Sequence, residues 1–270
     1  MLEEPAVRMC LEECWGLPGA RIAAHDGGMG SRTWIVDHGD RRWVAKAVAP
    51  ALGDQFAGGL VVAQRVERAG ILAGAPEPAV DGSLTVAVEG HRLALLPWVP
   101  GDPLTGEDRG ERRLIGSTLA RVHQALTGQA VEEAQLFHWV DPRADHLSLR
   151  PWLRPAVTAA LVDLGPAGPD DWSWGLLHSD PAPEAFRLDP ATGRCGVIDW
   201  SVALYGPLMY DLASAVMYAG GPRRAGDLIE AYLGEGVLGR ARSMRAWRRC
   251  WRSGGPCRPT TSPAGSRTMT

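Results

Sequence analysis

The spacing of apolar positions changes several times along the chain, and each change predicts an element. Residues 1–16 set Leu2, Val7, Met9, Leu11 and Trp15 among acids, the spacing of a short amphipathic helix. Ile22 to Ala24 then reads as a strand, followed by a glycine-rich turn over residues 25–31, a second strand from Arg32 to Val36 and a third from Arg41 to Val48. Helical spacing returns from Phe56 to Ala69, with Leu60, Val61, Ala63 and Val66 directed inward. Two more strands, Leu84 to Val88 and His91 to Trp98, flank the Glu89-Gly90 turn. Beyond Pro100 the chain turns helical: Glu107 to Leu126 repeats Leu114, Ile115, Leu119, Val122 and Leu126 at three-to-four spacing. A loop-rich stretch over 127–150 leads to a helix from Trp152 to Leu164, and later helices follow Gly206 and span Gly226 to Tyr232.

The segment between residues 176 and 200 carries the chemistry. Leu176-Leu177 is an apolar run, His178-Ser179-Asp180 a polar turn, Phe186-Arg187-Leu188 a short run, and Gly196-Val197-Ile198 a run ending in Asp199. That alternation predicts a hairpin-like pair of strands with two aspartates at one end. Two acids 19 residues apart on a buried scaffold suit phosphoryl transfer. One accepts the proton of an attacking hydroxyl, and the other holds the magnesium that neutralises a triphosphate.

Composition narrows the picture without changing it. A hydrophobic content of 45% and a charged content of 22% are those of an ordinary globular protein. The formal net charge of −3 supplies no field for nucleic acid or a membrane surface. Five cysteines form no even framework and complete no zinc site, so reduced thiols in a cytoplasmic protein are expected. No apolar run is long enough to span a bilayer, and no basic region followed by an apolar core marks a secretion signal. Lys46 is the only lysine in the chain, and it stands in the strand Trp43-Val44-Ala45-Lys46.

His178, Asp180, Ile198-Asp199-Trp200 and the run from Gly206 to Asp211-Leu212-Ala213 together resemble the aminoglycoside phosphotransferase and choline kinase-like family, relatives of the protein kinases. The resemblance implies an α+β, bilobal protein kinase-like fold. A small antiparallel β-sheet lobe over residues 1–99 would bind the nucleotide, and a larger, mainly helical lobe over 100–247 would carry the catalytic and metal-binding segments. On the same ground Asp180 is the expected catalytic aspartate, Asp199 the metal ligand, and His178 and Asp211 residues that brace the loops. Gly28, Gly30 and Ser31 of the glycine-rich turn, with Lys46, would hold the phosphates, although such turns also occur in hairpins that bind nothing. Leu96 and Trp98, in the hinge-like Leu95–Gly101 stretch, would lie against the purine ring. ATP or GTP and Mg2+ are the implied cofactors, and a small-molecule hydroxyl is the acceptor; neither nucleic acid nor membrane is an expected partner.

The chain departs from the family pattern in three places. Where the family pairs the strand lysine with a glutamate in the following helix, Phe56-Ala57-Gly58-Gly59 has no acid, and Glu67 is the candidate substitute. Where the family carries a metal-binding Asn, this chain has Ala185, which makes the adjacent Glu184 a candidate metal ligand. His123, in the first long helix, is expected to be a packing residue. Residues 248–270 read as an atypical, disordered basic tail, for which a reading frame shifted upstream of residue 250 is one account. The missing Asn and the tail support an alternative function, a catalytically impaired relative that binds nucleotide or acts as a scaffold.

Overall fold

The computed structural model describes residues 2–25, 30–138, 140–164 and 172–238. Gly28 and the tail from residue 248 lie outside the described residues.

The N-terminal half is a sheet with a helix on each face. Helix α1 (Glu4–Trp15) precedes β1 (Arg21–His25), β2 (Ser31–His38) and β3 (Arg41–Val48); helix α2 (Gly53–Arg68) follows, then β4 (Val86–Val88) and β5 (His91–Pro97). The five strands are antiparallel throughout, in the order β1-β2-β3-β5-β4. Successive strand residues point to opposite faces, and the hydrophobic pattern sorts them. Trp34, Val36, Trp43, Ala45, Ala47, Leu93 and Leu95 pack beneath Leu2, Val7, Cys10 and Leu11 of the N-terminal segment. On the other face Val48 and Ala94 meet Phe56 and Leu60 of α2, with Leu96 alongside. Lys46 shares the parity of Val48, so the register alone turns it inward, where it is 8% exposed.

Beyond the sheet come β6 (Asp102–Pro103), α3 (Arg109–Ala125), β7 (Gln135–Leu136), α4 (Leu153–Leu164), β8 (Trp174–Leu177), β9 (Phe186–Leu188), β10 (Cys195–Val197), β11 (Leu204–Pro207), α5 (Leu208–Tyr218) and α6 (Gly226–Gly234). Asp108 caps α3 by accepting from the Glu111 amide at 2.9 Å, a contact worth about 1 kcal/mol. Ile115, Leu119, Val122 and Leu126 of α3 are buried with Leu212 and Val216 of α5 and Leu228 and Tyr232 of α6 in one large core. Val62, Ala63 and Val66 of α2 join that core too. Helix α2 therefore straddles both halves of the molecule.

The segment read as a single hairpin divides in two. Strands β9 and β10 form an antiparallel hairpin, with Phe186 opposite Val197. Strand β8 instead pairs with β11, Leu177 opposite Leu204, and β7 adds to the far edge of β11. Strand β11 reads Leu-Tyr-Gly-Pro, a composition that signals a turn rather than a strand. It is a strand because its backbone groups find partners on both sides. The whole is a mixed α+β fold, an antiparallel sheet followed by a mainly helical half.

Candidate active site

Lys46 and Asp199 meet where the sheet faces the helical half. Lys46 Nζ donates to Asp199 Oδ1 at 2.6 Å, and the Ser201 hydroxyl donates to the same oxygen at 2.9 Å. The lysine side chain is 10% exposed, whereas that of Asp199 is 52% exposed, so the carboxylate opens to solvent and the ammonium is sheltered. The surrounding protein alone would push the Asp199 carboxyl up. The charge and hydrogen bond of Lys46, the Ser201 hydroxyl and nearby His178 outweigh it and hold the carboxyl below the usual carboxylate range.

The loop that presents Asp199 is held in an uncommon conformation. Asp199 has φ 67°, in the left-handed region that a non-glycine residue enters at a cost of about 1–3 kcal/mol. The flanking contacts that keep it there are the Ile198 amide to the Ala185 carbonyl at 2.8 Å, and the Trp200 indole to the Val197 carbonyl at 2.8 Å. Helix α2 presses on the same loop. A Cβ on Gly59 would lie 1.9 Å from the Trp200 carbonyl oxygen, and one on Gly58 2.3 Å from that of Glu133. Of the glycine pair that stands where an acid was expected, Gly59 thus lets α2 approach the Asp199 loop and Gly58 the chain at Glu133.

Glu67 does not replace that acid. Its Oε2 accepts from the amides of Ala73 and Ala75, at 3.2 and 2.9 Å, and so braces the chain leaving α2. About two turns of helix separate it from Gly59, the residue of α2 that meets the Asp199 loop.

The Asp180 loop hangs from α5. Asp211, fully buried in the first turn of that helix, accepts from the His178 amide at 2.7 Å and the Ser179 amide at 2.8 Å. Its Oδ2 also contacts His123 Nε2 at 3.0 Å, and His123 Nδ1 contacts the Tyr232 hydroxyl at 2.6 Å. His123, expected only to pack, is a link in a buried polar chain. Burial, with the Asp211 charge beside it, pushes the Tyr232 phenol well above its ordinary range. His178 Nε2 lies 2.8 Å from the Ile198 carbonyl, and its ring meets Trp200 edge-on at 4.7 Å. The His178 side chain therefore ties the Asp180 loop to the Asp199 loop. Ser179 takes the second left-handed position, φ 74°, which aims the exposed Asp180 outward.

Asp180 is met by Tyr218, the last residue of α5, whose hydroxyl donates to Asp180 Oδ1. The sequence reading did not single out Tyr218. A signal was present: Tyr218 follows Asp211 by seven residues, two helical turns, so both lie on one face of α5.

Gly30, at φ 89°, and Ser31 lead into β2, with Ser31 opposite Val48. Leu96, opposite Val44, lies on the Lys46 face of the sheet. Trp98 carries guanidinium groups on its ring, Arg42 at 5.6 Å and Arg187 at 5.7 Å from the centroid. Ala185 is buried in the apolar core with Phe186 and Val197 and brings no oxygen, while Glu184 beside it is exposed. Among the described residues no three His, Cys, Asp or Glu side chains converge on a metal position. A site with one or two carboxylates still suits Mg2+, which keeps waters and takes the remaining ligands from substrate phosphates.

A buried strand lysine paired with an acid, and a second acid on a braced loop, come together where the sheet meets the helical half. The sequence model of the APH phosphotransferase enzyme family matches residues 21–249, and the chain belongs to that family. A homoserine kinase of Allorhizobium ampelinum is 30% identical over 146 residues, covering 51% of this chain and 45% of the relative. One from Gluconacetobacter diazotrophicus is 32% identical over 150 residues, covering 51% and 46%. The chain spans about half the length of the curated relatives it matches. Among solved structures, an amicoumacin kinase complexed with AMP-PNP and Ca2+ superposes with a TM-score of 0.70 at 14% identity, over 93% of this chain and 85% of that one. A microcompartment-associated aminopropanol kinase superposes with a TM-score of 0.63 at 15% identity, over 93% and 95%. At these identities the likeness is one of fold, and the fold is that of the protein kinase-like phosphotransferases.

Proposed function

We propose that the protein transfers the terminal phosphoryl group of ATP or GTP to a hydroxyl of a small amino alcohol. The observation that carries this reading is the Lys46–Asp199 contact between the sheet and the helical half, with Asp180 presented by the loop that His178 ties to the same place. Lys46 would hold phosphate oxygens, helped by amides of the turn at Gly28, Gly30 and Ser31, and Leu96 would lie against the base. Asp199 would hold Mg2+, with Glu184 as a second carboxylate; when bound, the ion neutralises charge on the phosphates. Asp180 would accept the proton of the attacking hydroxyl as its oxygen bonds to the terminal phosphorus. The bond from that phosphorus to the bridging oxygen breaks, and the nucleoside diphosphate departs. Little covalent work falls to the protein, so placement and charge supply most of the rate.

The relatives named homoserine kinase favour an acceptor of that size and chemistry, a primary alcohol beside an amine and a carboxylate. Structural neighbours that act on larger antibiotics supply the second class to assay. The test is a coupled assay of nucleoside diphosphate release with homoserine, other amino alcohols and aminoglycosides, each with ATP and with GTP. Turnover with an amino alcohol is expected, lost in Asp180→Ala with nucleotide affinity retained; Asp199→Ala should lose magnesium-dependent nucleotide binding. Full activity in Asp180→Ala would overturn the assignment. One observation favours a second reading, a nucleotide-binding relative without turnover: buried Ala185 supplies no metal ligand where the family carries Asn. Magnesium-dependent binding of ATP with no product from any acceptor would select it.

A further inference from the structure

Asp180 stands exposed on its loop, and its backbone and side chain are held by opposite ends of one helix. At the N-terminal end of α5, Asp211 accepts from the amides of His178 and Ser179, which sets the course of the loop. At the C-terminal end, on the same face, the half-buried Tyr218 donates its hydroxyl to Asp180 Oδ1. We infer that Tyr218 is a positioning residue for Asp180, fixing the carboxylate in the rotamer that meets the acceptor hydroxyl; the inference rests on the phosphotransferase reading above.

The physical case is one of rotamer selection. An exposed aspartate samples several side-chain orientations, and a misaligned base loses rate steeply with small displacements. A hydrogen bond to a charged group holds one orientation against the others, and its rigid aromatic donor is anchored on a helix rather than on a loop. Asp211 and Tyr218 are two helical turns apart on α5, so one rigid body sets both the loop and the carboxylate it carries. Burial does not require the contact, since both partners reach solvent.

The test compares Tyr218→Phe, which removes only the hydroxyl, with the parent enzyme. The expected result is a fall in kcat of about 10-fold or more, the worth of a hydrogen bond to a charged group. The KM for nucleotide and the Tm should stay unchanged. An unchanged kcat, or a change in nucleotide KM instead of kcat, would overturn the inference. A second measurement needs no turnover. With four tyrosines in the chain, 13C-labelled tyrosine gives few resonances, and the one absent in Tyr218→Phe should shift in Asp180→Ala. No shift overturns the contact and leaves the function standing, whereas an active Asp180→Ala sinks the function itself. Phosphotyrosine at residue 218 after incubation with ATP alone would make the side chain an acceptor and likewise overturn its positioning role.

Discussion

At the scale of single residues the site turns on positions 184 and 185. An Asn at 185 would offer a carbonyl oxygen to magnesium; Ala185 offers none and is buried among Phe186 and Val197. The exposed Glu184 carboxylate lies one residue away, on a 3-10 turn that Pro183 begins and the Ala185 amide closes onto the Ala182 carbonyl at 3.0 Å. If Glu184 supplies the missing oxygen, Glu184→Ala should cut turnover on the order of 10-fold or more, as loss of metal support does. Ala185→Asn should then help little and lower the Tm, because an amide enters an apolar neighbourhood. Steady-state kinetics over a magnesium titration checks both. Silent Glu184→Ala with a gain in Ala185→Asn would show that no side chain fills the position.

At the scale of elements, α2 and α5 do most of the positioning. Helix propensity alone makes Gly→Ala in the middle of α2 favourable by about 1 kcal/mol. At Gly59 the new methyl would lie 1.9 Å from the Trp200 carbonyl oxygen, which is backbone and cannot swing aside. Overpacking of this kind costs about 1–3 kcal/mol, so the steric term decides the sign. Gly59→Ala should therefore destabilise the protein in urea and, by displacing residues 199–201, weaken magnesium-dependent nucleotide binding. A variant that is more stable and binds as before would show that the two elements are not in contact. Glu67 illustrates the same scale: its carboxylate serves the turn after α2, so Lys46 pairs with Asp199 rather than with its own lobe.

For the molecule as a whole, the Lys46–Asp199 pair links the sheet to the helical half, and its strength depends on pH. Asp199 is held below the usual carboxylate range in the folded protein. Its contribution to stability is accordingly present above the ordinary carboxylate pKa of about 3.9 and is lost as pH falls through the lowered folded value. Urea denaturation of the parent and of Asp199→Asn should differ at neutral pH, and the gap should close in acid. A gap that is constant with pH would mean the ion pair adds nothing to holding the halves together. Among the described residues no helix is long and apolar enough to cross a membrane.

Local pattern determined much of this protein. Alternation placed β2, β3 and β5, three-to-four spacing placed α2 and α3, and strand parity turned Lys46 inward, because each depends only on residues a few positions apart. The apolar runs around Asp180 and Asp199 made the two acids visible for the same reason. Tertiary structure decided what lies between distant segments. Lys46 reaches Asp199 across 153 residues and Tyr218 reaches Asp180 across 38, and neither spacing follows from a local period. The pairing of β8 with β11 and the descent of α2 onto Trp200 were settled likewise, by which backbone groups could be satisfied and which surfaces could close without a side chain between them. Sequence thus singled out Asp180 and Asp199, and packing chose the partners they meet, Tyr218 and Lys46.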